Sequence, residues 1–163
     1  MLFLRSVFFT LILPGTVTVI IPSLILSRQP IRALAQWAVP QYAGAVEIVI
    51  GTAILLRCIW DFARIGRGTL APIDPPTKLV VKGLYRYVRN PMYVGVLLLL
   101  LGEAITFESV ALLLYTALWF IAVHLFVVLY EEPALRRRFG AAYDRYCDSV
   151  RRWLPGKRFD QSS

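Results

Sequence analysis

Cysteine is scarce in this 163-residue chain, which has only Cys58 and Cys147. One falls in an apolar run and the other in a basic tail, with no CxxC and no companion ligands, so neither a disulfide framework nor a metal site follows. Cys58 reads as a small buried packing residue. Histidine is scarcer, with His124 alone. No GxGxxG follows a strand-like run, so no dinucleotide site is expected. There is no nucleophilic triad, internal repeat or low-complexity segment. Charged residues make up only 17% of the chain, with 18 basic side chains against 10 acidic ones. The excess of +8 could suit nucleic acid, yet the basic residues lie beside apolar runs and no recognition helix or RNA-binding motif is visible. No nucleic-acid partner is expected. Beside apolar runs, Lys and Arg orient a chain in a bilayer or meet anionic headgroups.

What is abundant is apolar surface: 58% of the residues are hydrophobic, more than one small soluble core needs. The expectation is an all-α, polytopic membrane protein forming a single domain over residues 1–163, with about four transmembrane helices. Residues 6–26 carry no charge between Arg5 and Arg28, long enough for a hydrocarbon core of about 30 Å at about 1.5 Å per residue. The start, MLFLRSVFFTLIL, has the basic-then-apolar order of a signal peptide, but no small-x-small cleavage site follows, so it is read as part of the first span. Pro14, Gly15 and Pro22 should bend it. Span two covers 42–62 and contains Glu47, Arg57 and Asp61. Arg57 and Asp61 stand four apart on one helix face and can pair; Glu47 is expected at a water-exposed rim. Spans three and four, 91–107 and 110–130, are joined by a short turn at Glu108 and Ser109.

Residues 64–90, rich in Gly and Pro, should form an ordered loop at the membrane face. With four spans, this loop, the amino terminus and the tail share one side and nearly all the exposed Lys and Arg, while Arg28 and Arg32 stand alone opposite. The heavy side is expected to be cytoplasmic, in a cytoplasmic inner membrane. In the tail, 131–155, Tyr143, Tyr146, Cys147, Val150, Trp153 and Leu154 follow a helical rhythm, which predicts an amphipathic interfacial helix ended by Pro155 and Gly156.

The stretch YRYVRNPMYVG, residues 85–95, crowds arginine, tyrosine and an Asn-Pro step onto the start of span three. Asn90 suits an N-cap and Pro91 the first helical position, so unpaired N–H groups and the positive dipole end should face the rim. Arg86 and Arg89 strengthen that field, tyrosines add flat surfaces, and Gly95 leaves room for a close approach. Interfacial anchoring and ordinary capping explain the same residues and, for this stretch taken alone, are the favoured account. At the end of span four, Glu131 and Glu132 return to the same side. An anion site beside a carboxylate complements a zwitterion; the plainer role for the acids is pairing with Arg136 or with the arginines at 86–89.

LVVKGLYRYVRNPMYVG, followed beyond a hydrophobic hairpin by EEPALRRRFGAAYDRYCDSVRRWLP, resembles the isoprenylcysteine carboxyl methyltransferase and phospholipid methyltransferase superfamily of integral membrane enzymes. The likeness covers residues 77–155. It implies an S-adenosylmethionine-dependent methyltransferase whose cofactor is held by Thr77, Lys78, Leu79, Val80, Tyr85, Asn90, Pro91, Met92 and Tyr93, with Glu131 as a polar contact and Glu132 as a lesser one. Asn90 stands where the family commonly has His; it can cap and donate, but cannot carry a proton near neutrality. Val127 and Val128 stand where prenylcysteine enzymes have a substrate-holding arginine, which argues against a prenylcysteine carboxylate acceptor.

Methyl transfer from a sulfonium is a direct displacement that needs alignment and exclusion of water, and no metal. The acceptor is expected from the lipid side or as a small molecule: a lipid amine, a thiol or a carboxylate. His124 lies seven residues before Glu131, about two turns, and can orient the acceptor, assist a proton or make a helix–helix hydrogen bond. The alternatives are a non-enzymatic protein that grips anionic lipid through its basic loop and tail, and a membrane reductase relative.

Overall fold

A computed structural model of the chain describes residues 14–29, 36–65, 81–156 and 158–159, with the side chains of 62–65 left out. The regular elements among these are all helical, and one isolated bridge joins Val88 to Arg151. The helices are α1, Thr16–Leu26; α2, Val39–Ile65; α3, Pro91–Thr106; α4, Val110–Phe126; α5, Glu132–Phe139; and α6, Ala141–Ser149. A 3-10 turn, Gly83–Arg86, precedes α3. Two stretches are long and apolar enough to cross a bilayer: Val39–Asp61, and Val110–Phe139, in which α4 runs into α5. Helices α1 and α3 are apolar but shorter. Leu113, Leu114, Leu118, Ile121 and Leu125 on α4 are exposed, as are Val46, Val49 and Leu56 on α2, which is the surface a hydrocarbon solvent would cover.

Glycine sets the register of α2 against α3. Gly44 faces Gly102, and a Cβ added at Gly44 would lie 2.6 Å from the Gly102 carbonyl oxygen. Seven residues on, Gly51 faces Gly95, and a Cβ there would lie 2.6 Å from the Gly95 carbonyl oxygen. Two Gly–Gly contacts one heptad apart bring the antiparallel backbones together, the way small residues pack helices where lipid leaves little hydrophobic drive. Gly95 therefore makes room for α2, not for a ligand as its place in the sequence suggested. Next to this seam, Leu55, Val96 and Leu100 form a buried cluster against which Val17, Met92 and Tyr115 pack. Cys58 is fully buried in α2, in the packing role expected of it.

Polar residues fasten the far end of the hairpin. Gln41, three residues into α2, accepts from the Ala38 N–H at 2.9 Å and donates to Glu108 in the α3–α4 turn. Ser109 caps α4 by accepting from the Leu112 N–H at 3.2 Å. Glu47 departs from expectation: it is half-buried, and one carboxylate oxygen is enclosed without a hydrogen-bond partner.

Two π-turns, Thr16–Ile20 at the start of α1 and Val127–Glu131 between α4 and α5, each run into an α-helical segment, Ile21–Leu26 and Glu132–Phe139, whose second residue is proline, Pro22 and Pro133. Proline has no N–H and crowds the carbonyl four residues back, so a widened turn before it relieves both problems. Beyond α5 the expected single amphipathic helix is broken. Gly140 turns the chain at φ 50°, α6 ends at Ser149, and Val150 is extended. Trp153 and Leu154 thus lie outside any helix, and the apolar face of α6 is not left for lipid: Tyr143, Tyr146 and Val150 are buried against Val81 of the loop.

Candidate functional site

The start of α3 and the tail are bound together by backbone. The Arg89 N–H donates to the Arg151 carbonyl at 2.9 Å, the Gly156 N–H to the Tyr87 carbonyl at 2.7 Å, and the Phe159 N–H to the Arg86 carbonyl at 3.0 Å. The Tyr146 hydroxyl adds a bond to the Tyr85 carbonyl at 2.6 Å. Gly83 enters this clasp at φ 56° with the Asp61 carboxylate hard against it, so the position suits glycine both for its backbone and for its lack of a side chain. Asp61 in turn accepts from Arg57 at 3.1 Å, the pair its spacing predicted.

At the centre lies Glu132, only 7% exposed. Arg152 grips it through two bonds, Nε to Oε1 at 2.7 Å and Nη2 to Oε2 at 2.9 Å, and Arg89 Nη1 stands 3.2 Å from Oε1. Counted from Val110, about 20 residues suffice for the hydrocarbon core, so both acids fall beyond it. Burial pushes the Glu132 carboxyl up, but the Arg152 hydrogen bond and the Arg89 and Arg152 charges outweigh it and hold the carboxyl below its usual range. Such a tightly paired acid is a fastener.

Glu131 is different. Its Oε2 accepts from the Tyr93 hydroxyl at 3.3 Å. Burial holds this carboxyl above the usual range, opposed by the Tyr93 hydrogen bond and reinforced by the Glu132 charge. Burial, and then nearby Cys58, Glu131, Tyr146 and Tyr93, hold the Tyr85 phenol well above its ordinary value, so it remains a neutral hydroxyl. The two ends separated by the hairpin therefore meet, Tyr93 with Glu131 and Arg89 with Glu132.

Asn90 occupies the N-cap position, but its side chain does not cap; Nδ2 donates to the Arg152 carbonyl at 3.2 Å. The capping role read from the sequence is corrected accordingly: the tail draws the amide away. The Met92 and Tyr93 N–H groups of the first turn thus receive no side-chain cap, and Arg89 Nε is buried with no partner. An uncapped helix start whose Tyr93 side chain reaches a poorly neutralised carboxylate fits a zwitterionic ligand. Pro91 is fully buried, and Met92 packs into the Leu55–Val96–Leu100 cluster. Thr77, Lys78, Leu79 and Val80 lie outside the described residues.

Three residues of the tail carry more than the sequence indicated. Arg152 lies three residues past the end of α6, outside the helix that the rhythm of the tail predicts. Tyr146, on the apolar face predicted to lie at the interface, is buried against the loop instead and bonds the Tyr85 carbonyl. Trp153, beyond the helix, swings back to α4, where its indole N–H donates to His124 Nδ1 at 3.1 Å. Its ring lies 6.5 Å from Tyr93 and 5.3 Å from Phe120, centre to centre. The one signal for Arg152 in the sequence is the acid pair itself: two adjacent carboxylates at a membrane exit call for more than one cation.

An apolar helical frame that brings a helix start, two acids and an aromatic wall to one end defines a membrane-type helical protein with a polar site at its edge. A family model described as phospholipid methyltransferase matches residues 39–142, and the chain belongs to that family. Membership makes it a methyltransferase of the membrane-protein class. Comparison with curated proteins and with solved structures gives no match. The matched region stops short of Tyr143, Arg152 and Trp153.

Proposed function

We propose that this chain is an S-adenosylmethionine-dependent methyltransferase that crosses the bilayer four times, with α3 and α1 completing the set begun by α2 and α4. In this reading the Arg-rich loop and tail face the cytoplasm of an inner membrane and the acceptor is a lipophilic or small molecule bearing an amine, thiol or carboxylate. The contact between Tyr93 and Glu131 carries the proposal, because it joins the two halves of the motif around one place.

The cofactor would supply an electrophilic methyl group on a sulfonium. The uncapped Met92 and Tyr93 amides would hold its carboxylate, with the Arg89 charge behind them, and Glu131 its ammonium or a ribose hydroxyl. Tyr85, as a neutral phenol, would donate without adding charge. Thr77, Lys78, Leu79 and Val80 would complete the pocket from the loop, and Asn90 would hold the tail over it through Arg152. Pro91 and Met92 would fix the start of α3. Methyl transfer would then require little beyond a dry, aligned approach of the acceptor lone pair.

Calorimetric titration of the detergent-purified chain with S-adenosylhomocysteine tests this. Saturable heat that weakens in Glu131→Gln is expected. No saturable heat from folded protein would overturn the reading and favour a lipid-gripping protein, for which exposed Arg136, Arg137 and Arg138 offer a basic face.

A further inference from the structure

His124 is held in one orientation by a residue from the opposite end of the chain. An indole N–H can only donate, so the 3.1 Å bond from Trp153 Nε1 makes His124 Nδ1 the acceptor and leaves the ring proton on Nε2. Among the described residues, His124 makes this hydrogen bond and no other. Phe120 and Trp153 flank the ring at 6.0 and 5.9 Å, so its surroundings are otherwise aromatic.

The imidazole is half-buried, not sealed inside the protein, and stands about 10 Å along the helix from Glu131, toward the apolar middle of α4. At that depth a bare N–H is costly unless something from the bilayer accepts from it. Water is scarce there, and a lipid seated with its polar end beside Tyr93 and Glu131 would bring its own ester and phosphate oxygens to this level. Trp153 connects this position to the candidate site, since its ring also lies beside Tyr93, whose hydroxyl bonds Glu131.

We propose that His124, oriented by Trp153, is a positioning residue that donates its Nε2–H to an ester or phosphate oxygen of a bilayer lipid, and so holds a lipid acceptor with its reactive end toward Tyr93 and Glu131. The proposal rests on the methyltransferase reading for its purpose, though not for the contact itself. Because it is made through Trp153, it also gives the tail a part in choosing the acceptor.

The chain has one histidine, so its imidazole nitrogens can be read without assignment. The full chain, labelled with 15N-histidine, is placed in nanodiscs of phosphatidylethanolamine and phosphatidylglycerol. An Nε2–H tautomer is expected, with cross-peaks from the ring to glycerol or headgroup protons, and a shift of the Nδ1 signal in Trp153→Phe. A proton on Nδ1, or ring cross-peaks to acyl chains or protein alone, would overturn the proposal. In methyl-transfer assays, His124→Phe should raise the acceptor KM about tenfold while S-adenosylhomocysteine affinity stays unchanged; His124→Gln, which can both accept and donate, should recover most of it. An unchanged KM, or an equal loss of cofactor affinity, would count against a positioning role. Failure of the wild-type chain to bind S-adenosylhomocysteine would instead overturn the methyltransferase reading and leave the lipid contact to be judged by the nanodisc spectra.

Discussion

The α2–α3 seam and the loop–tail clasp hold the molecule by opposite means. Along the seam the backbones touch through Gly44, Gly51, Gly95 and Gly102, and close packing sets the register, with Gln41 bonded to Glu108 and Thr106 to the Gln41 carbonyl at one end. In the clasp, main-chain bonds from Arg89, Gly156 and Phe159 and the Arg89–Glu132–Arg152 cluster do the work. The seam suits hydrocarbon, where a polar group needs a partner of its own, and the clasp suits the water boundary, where charge can be matched. The candidate site lies where they join, because α3 belongs to the seam and its first turn to the clasp.

The seam should be the harder of the two to alter. Gly51→Val drives a side chain into the Gly95 carbonyl and should cost about 3 kcal/mol or more, read as loss of folded protein in detergent thermal melts; Gly15→Ala, with nothing within 4 Å, should change nothing. If Gly51→Val were tolerated, the seam would not be close-packed.

The clasp should fail separately. Glu132→Gln leaves Arg89 and Arg152 without their anion, which for a largely buried pair costs about 3 kcal/mol, less for Arg152, which is partly open to solvent. The expected result is rapid tryptic cleavage after Arg145 or Arg151 with helix content retained. Folding lowers the Glu132 pKa, so its contribution is present at neutral pH and lost as pH falls through the folded value, below the usual carboxylate range. Tail release on mild acidification would contradict this.

Glu131 should show the reverse sign. Its raised pKa means that stability falls as pH rises from the unfolded value to the folded one, so Glu131→Gln should leave stability unchanged or improved at neutral pH. Cofactor affinity should drop as pH falls through that raised value, above the usual carboxylate range, and Glu131→Gln should abolish the dependence. The smallest of the stability losses belongs to Asn90→Ala, which removes one bond to the Arg152 carbonyl and should cost about 1 kcal/mol.

Much of the seam's outline was legible in the sequence. Pro91 and Val110 begin helices where the Asn-Pro step and Ser109 predicted, since caps and prolines act locally. The Gly44–Gly102 and Gly51–Gly95 contacts were not seen, because each glycine alone is unremarkable and only the pairing gives it meaning. In the clasp, the meeting of the α3 start with the acids followed from the sides assigned to the helix ends. Trp153 and Arg152 did not, because the helical rhythm of the tail continues past Ser149 in sequence although the chain becomes extended. Asn90 was placed correctly and given the wrong partner, since a tertiary acceptor 62 residues away competed with local capping.

The central claim is that Tyr93 and Glu131 act on one ligand as a unit. A double-mutant cycle with Tyr93→Phe and Glu131→Gln, read by S-adenosylhomocysteine titration of the folded chain, tests it most directly. Coupled losses are expected, with the double variant binding scarcely more weakly than Glu131→Gln alone. Fully additive losses, or affinity untouched by either change, would contradict the account.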